Sequence, residues 1–127
     1  MLADMPVIAF AATAMPAAAK AFYGEVLGLR LVEDSPYALV FDAGGTMLRL
    51  QKLAAHRPQG HTVLGWRVDD IAAAVDGLAE KGLRTERFDG LGQDSRGIWR
   101  PAPGTAVAWF RDPDGNVLSL TAWDATP

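Results

Sequence analysis

Apolar side chains run almost unbroken through residues 7–13, recur at helical spacing through 17–26, and then fall into short runs cut by turn residues up to residue 53. The first run reads as a strand, although its alanines are poor strand formers. Met15-Pro16 opens a helix with proline in the first turn, where its missing N–H leaves no bond unmade. Phe22, Val26 and Leu29 fall at helical spacing and are expected on its buried face, with Gly28 placed to end it in the left-handed conformation. Strands follow at 29–32, 37–41 and 47–53, divided by Asp34-Ser35-Pro36 and Ala43-Gly44-Gly45. Residues 6–53 therefore spell one β-α-β-β-β unit.

Residues 54–60, with His56, Pro58 and Gly60, read as a linker, and the pattern then repeats over 61–123. A strand at 61–68 leads to Asp69 or Asp70 as helix cap, then to Ile71, Val75 and Leu78 on a buried face and Gly82 as stop signal. Segments 83–88, 97–100, 107–110 and 117–123 supply three or four strands, with loops at 89–95 and 101–105. An offset of 55 carries Ala17-Ala18-Ala19 onto Ala72-Ala73-Ala74 and Met15 onto Asp70, although the shared order of elements weighs more than matches in alanine-rich sequence. The prediction is an α+β fold: a single domain, 1–127, of tandem βαβββ units whose curved mixed sheets enclose a cleft, each with a helix on its outer face. Near the end, the apolar run through Phe110 breaks at Asp112-Pro113-Asp114-Gly115-Asn116 and an alternating run begins, which predicts a bulged hairpin. The acidic cluster is no calcium loop, because glycine follows Asp114 too early and no glutamate closes it.

Composition narrows the function. Twelve basic and fifteen acidic residues give a net charge of −3 with no basic cluster along the chain, so nucleic acid is an unsuitable partner. No cysteine occurs, which removes disulfides, thiolate metal sites and thiol nucleophiles. Residues 6–19 contain Thr13 and Pro16 and follow no basic segment, so neither a signal peptide nor a membrane span is expected, and cytoplasmic residence is the expectation.

Ala21-Phe22-Tyr23-Gly24-Glu25-Val26-Leu27-Gly28, Val68-Asp69-Asp70 and Phe110-Arg111-Asp112-Pro113-Asp114-Gly115-Asn116, in that order, resemble the "FY…vLG" and "DPDGN" signatures of the vicinal oxygen chelate superfamily. That superfamily includes glyoxalase I, extradiol dioxygenases, fosfomycin resistance proteins and bleomycin-binding proteins. The resemblance implies four ligand positions on inward strand faces, filled in metal-dependent members mostly by His and Glu. Here they hold Ile8, Arg49, Val63 and Ser119, none a plausible ligand for a divalent ion. A register slip of one or two residues brings in Leu50, Gln51, Thr62 or His61, never three ligands together. No metal and no cofactor are therefore expected.

Strand alternation extends this inward face to Phe10, Ala12, Met47, Gln51, Gly65, Arg67, Val117 and Thr121. The ligand-binding set is then Ile8, Phe10, Met47, Arg49, Gln51, Val63, Gly65, Ser119 and Thr121, joined by Trp99 as a stacking residue; Trp66 and Trp109 are expected to turn away. Arg49 has two readings: an ion pair with Asp42 or Glu86 or snorkelling to the rim, which comes first because a charge there needs a partner, or an anchor for a ligand carboxylate, phosphate or phenolate. His56 and His61 read as exposed loop residues. The function expected is binding of a small apolar or aromatic molecule, antibiotics included, and the resemblance implies a homodimer. The alternative is a lyase, isomerase or dioxygenase-type enzyme, acting through Arg49 without metal or through a metal held at other positions.

Overall fold

The computed structural model describes residues 1–123 and divides the chain into two units, Met1–Pro58 and a second from Gln59 onward. After a single 3₁₀ turn at Leu2–Asp4, the first unit runs β1 (Ile8–Thr13), α1 (Pro16–Ala21), β2 (Arg30–Asp34), β3 (Ala38–Ala43) and β4 (Thr46–Lys52). Its sheet has the order β1-β4-β3-β2, with β1 parallel to β4 and the other neighbours antiparallel. The second unit repeats this with β5 (Thr62–Arg67), α2 (Ile71–Glu80), β6 (Trp99–Ala102), β7 (Thr105–Arg111) and β8 (Val117–Trp123), in the order β5-β8-β7-β6. This is the expected α+β plan of two mixed four-stranded sheets. Among the described residues no helix is long and apolar enough to cross a membrane.

The first helix departs from the expected course. After Ala21 it widens into a π-helical turn, Phe22–Val26, in which the Leu27 N–H reaches back to the Phe22 carbonyl at 2.9 Å. The wider turn changes the phase, so the adjacent Phe22 and Tyr23 are both buried while Val26 and Leu29 are only half-buried. Tyr23 packs on Phe22 edge-on and on Phe41, at ring distances of 5.2 and 5.9 Å. Gly28 then takes φ +75°, as its place at the helix end required. Beneath lie Leu39, Phe41, Leu48 and Leu50, all fully buried, each contributing about 1.5–3 kcal/mol by leaving water. In the second unit Asp70 caps α2 by accepting from the Ala73 N–H at 3.1 Å. Ile71 and Val75 are buried on the helix, and Ala106, Ala108, Phe110, Leu118 and Leu120 on the sheet.

The duplication has one interruption. Corresponding elements lie 55 residues apart at the helix caps (Met15 and Asp70) but 71 apart at the last strands (Thr46 and Val117), so the second unit holds sixteen more residues between. Fourteen of them fall between the helix cap and the next strand (Asp70 to Trp99 against Met15 to Arg30), in the stretch 83–98, where the expected strand 83–88 does not form. Only the Glu86 N–H joins β7 there, bonding the Trp109 carbonyl at 2.7 Å. Three further backbone groups are taken by one side chain: Gln93 accepts from the Phe88 N–H (2.7 Å) and donates to the Glu86 and Gly97 carbonyls (2.9 and 2.7 Å).

Candidate functional site

In β4, Leu48 and Leu50 point into the helix-covered core, so Met47, Arg49 and Gln51 occupy the opposite face. The parallel register sets Ile8 beside Met47, Phe10 beside Arg49 and Ala12 beside Gln51. Five of the predicted residues therefore share one sheet face. Its β1 side is apolar and exposed, with Ile8 46%, Phe10 51% and Met47 42% exposed, whereas Val40 and Ala38 on the same face are buried. A cavity of about 210 Å³ is lined by Val32, Val40 and Met47 together with Arg30 and Asp42.

Arg49 is half-buried in this face, and the ion pairs expected for it are not made. Asp42 binds Arg30 (3.3 Å), which stands directly opposite it across β2 and β3, whereas Arg49 stands opposite Val40, one step along. A directly opposite pair is closer than a diagonal one by about 2–3 Å. Glu86 binds Arg111 at 3.0 Å. Among the described residues no carboxylate lies within 4 Å of Arg49.

The second unit presents a different face. Ser119 stands between Gly65 on β5 and Trp109 on β7; Thr121 stands between Arg67 and Val107, and Trp99 lies opposite Val107. Trp109 thus shares the face of Ser119 and Thr121, against the expectation that it turns away, because it is the residue directly opposite Ser119. Trp66 does turn away and stacks on buried Phe110 at 6.3 Å. Trp99 packs against Trp109 at 5.8 Å, and Phe88 meets Trp109 edge-on at 5.3 Å, so three rings form one shelf. The Trp109 Nε1–H donates to Thr62 Oγ1 at 3.1 Å. That bond is possible because a bulge at Val63 lets Thr62 pair with Val117. Phe88, Trp109 and Thr62 were missed as site residues: Phe88 lies in an irregular segment and Thr62 beside a bulge, both of which defeat counting by twos, whereas the face of Trp109 follows from its regular pairing with Ser119. Arg67 extends over the Trp123 ring, 4.1 Å from its centre.

Ser119 is buried, and a Cβ at Gly65 would come within 2.5 Å of its hydroxyl oxygen. The four positions where the family resemblance implies metal ligands therefore offer two hydrocarbons, one guanidinium and one hydroxyl packed against backbone. This donor set does not fit a divalent cation. Among the described residues no group of three or more His, Cys, Asp or Glu side chains is placed to hold one. In the Asp-Pro-Asp-Gly turn, Asp112 accepts from the Asp114 and Asn116 backbone N–H groups and from the Asn116 side chain at 2.8–3.0 Å, so its oxygens serve the hairpin. The perturbed carboxylates sit elsewhere. Lys52 and then Lys20 hold Asp34 below its usual range by hydrogen bonding, and Arg96 does the same to Asp76.

Tandem β-α-β-β-β units with this strand order, and open faces with apolar and aromatic side chains, define a class of small α+β proteins. The chain belongs to the Glyoxalase/Bleomycin resistance protein/Dioxygenase superfamily, whose family model matches residues 7–120. Among solved structures it is similar to a protein assigned to the glyoxalase family from Bacillus anthracis, with TM-score 0.74, 16% identity, and 94% of this chain and 97% of that one covered. TnmS3, an antibiotic binding protein from Streptomyces sp. CB03234, matches with TM-score 0.69 and 26% identity over 95% of this chain and 98% of its own. The fosfomycin resistance protein FosX from Listeria monocytogenes shares the fold at TM-score 0.69 and 8% identity, over 91% of this chain and 89% of its own. No curated protein sequence matches the chain.

Proposed function

We propose that this protein binds a small apolar or aromatic molecule bearing an anionic group, without a metal, and holds it unchanged, as sequestration of an antibiotic would require. The observation that carries the reading is Arg49: a half-buried guanidinium among exposed Ile8, Phe10 and Met47, with no described carboxylate within 4 Å. A cation on an apolar surface gains most from a partner that brings both an anion and a flat hydrocarbon body. The shelf of Trp99 and Trp109, with Ser119 and Thr121 on the same sheet face, supplies stacking and hydrogen-bonding chemistry of the same kind. Likeness to an antibiotic binding protein is consistent with it. The ligand positions Ile8, Arg49, Val63 and Ser119 need no metal for this task. We take residues 1–127 as one domain, acting as a cytoplasmic homodimer.

The test is a thermal-shift screen of aromatic carboxylates, phenolates and antibiotics, followed by calorimetry and mass spectrometry of any hit. Arg49→Gln is expected to weaken an anionic ligand about tenfold to a hundredfold, the worth of a charge-assisted hydrogen bond, and to leave its neutral isostere unchanged. A chemically converted ligand, or one tightly bound metal per chain in protein purified without chelator, overturns the proposal. Light scattering at micromolar concentration reads the oligomeric state directly.

A further inference from the structure

We propose that the second unit carries a binding site for a phosphate-bearing anion, made by Arg84, Arg87 and Arg96 at the C-terminal end of α2. These residues all lie in the stretch 83–98, which folds back so that the three exposed side chains line one cavity of about 570 Å³. Its only carboxylate lining is Asp76, and both oxygens of Asp76 are taken by Arg96, from Nε at 2.8 Å and Nη2 at 3.0 Å. Arg87 is tethered by a bond from Nη2 to the Ser95 carbonyl at 2.7 Å, which positions the guanidinium but neutralises none of its charge. Among the described residues no hydrogen bond or ion pair engages the Arg84 side chain. Among the described residues, then, Arg84 and Arg87 have no carboxylate partner, in a chain whose net charge is −3.

The C-terminal end of α2 carries the partial negative charge of the helix dipole, about half an elementary charge, which offsets only part of the two positive charges. The Leu78 carbonyl accepts from the Lys81 and Leu83 N–H groups and the Ala79 carbonyl from the Gly82 N–H, at 2.9–3.0 Å, so the last turn is closed on its own backbone. Asp94 is occupied as well: one oxygen accepts from the Arg96 and Ile98 N–H groups, and the other lies 4.0 Å from Arg100. A phosphate monoester, carrying about two negative charges at neutral pH, matches the two guanidiniums that no carboxylate pairs, whose forked donors fit its oxygens. Val75, Ala79 and Leu83 give the cavity an apolar side, and its volume leaves room for an organic body beyond the phosphate.

Calorimetry at low salt with inorganic phosphate and with phenyl phosphate tests this on the whole protein. Saturable binding is expected, and tighter binding of phenyl phosphate assigns the site to phosphorylated small molecules rather than to the free anion. The double variant Arg84→Gln/Arg87→Gln should weaken phosphate binding at least about tenfold. Asp76→Asn should tighten it, because it frees Arg96, a change opposite in sign to that of a damaged fold. Arg49→Gln should leave it unchanged. Failure of wild-type protein to bind either probe, wild-type affinity in the double variant, or weakening by Asp76→Asn each overturns the proposal.

Discussion

Single residues settle the chemistry of both sheet faces. Gly65 and Ser119 form a coupled pair, since any side chain at 65 would enter the space of the Ser119 hydroxyl. Gly65→Ala should lower stability by about 1–3 kcal/mol, the usual cost of overpacking. Adding Ser119→Ala removes the colliding oxygen and should recover most of that loss, which a thermodynamic cycle by urea denaturation measures. Ser119 was legible as an inward position because the Asp112–Asn116 turn sets the register of β8. Its near-contact with Gly65 was not legible, because it depends on which residue of β5 lies beside it, and the bulge at Val63 decides that. The same holds for Arg49. Its face followed from alternation in β4, but its want of a partner followed only once Arg30 was seen opposite Asp42.

Among the elements, the segment 83–98 is where the second unit differs from the first. Gln93 replaces a strand partner for it, with one oxygen and both amide hydrogens in use. Gln93→Leu leaves the Phe88 N–H and the Glu86 and Gly97 carbonyls without these bonds and should cost about 1–3 kcal/mol. Phe88 leans on Trp109, so the near-ultraviolet circular dichroism of the tryptophans should weaken in the same variant while the far-ultraviolet spectrum is kept. An unaltered tryptophan signal would separate Gln93 from the aromatic shelf. The strand expected at 83–88 failed to form because local β-propensity needs a partner ladder, and here a glutamine side chain satisfies the groups that a ladder would. In α1 the periodic pattern identified the helix, yet the π-helical turn brought Tyr23 inward instead of Val26.

For the molecule as a whole, each unit holds a surface carboxylate whose proton affinity is lowered by basic neighbours, Asp34 in the first and Asp76 in the second. A carboxylate depressed in the folded state contributes stability above its unfolded pKa, near 3.8, and loses it as pH falls through the lower folded value. Melting temperature should therefore hold steady near neutrality and fall below about pH 4. The fall should be smaller in Asp34→Asn/Asp76→Asn and in high salt, because both pairs are exposed and screened. An identical acid limb in the double variant would assign acid unfolding to other carboxylates.

The amino-acid sequence by itself determined the duplicated order of strands and helices, the two helix ends at Gly28 and Gly82, the hairpin at Asp112–Asn116 and the residues at the four positions where the family resemblance implies ligands. These are written in short-range terms: periodicity, caps and turn residues act within a few positions of themselves. Only the tertiary structure decided which arginine takes which carboxylate, that Trp109 joins Trp99 on one face, and that Arg84, Arg87 and Arg96 share a cavity. Those outcomes depend on strand pairing, one bulge and a fourteen-residue insertion, each of which moves a side chain by a residue or more relative to distant neighbours. A displacement of that size flips a strand residue to the other face, so no count along the chain could have supplied them.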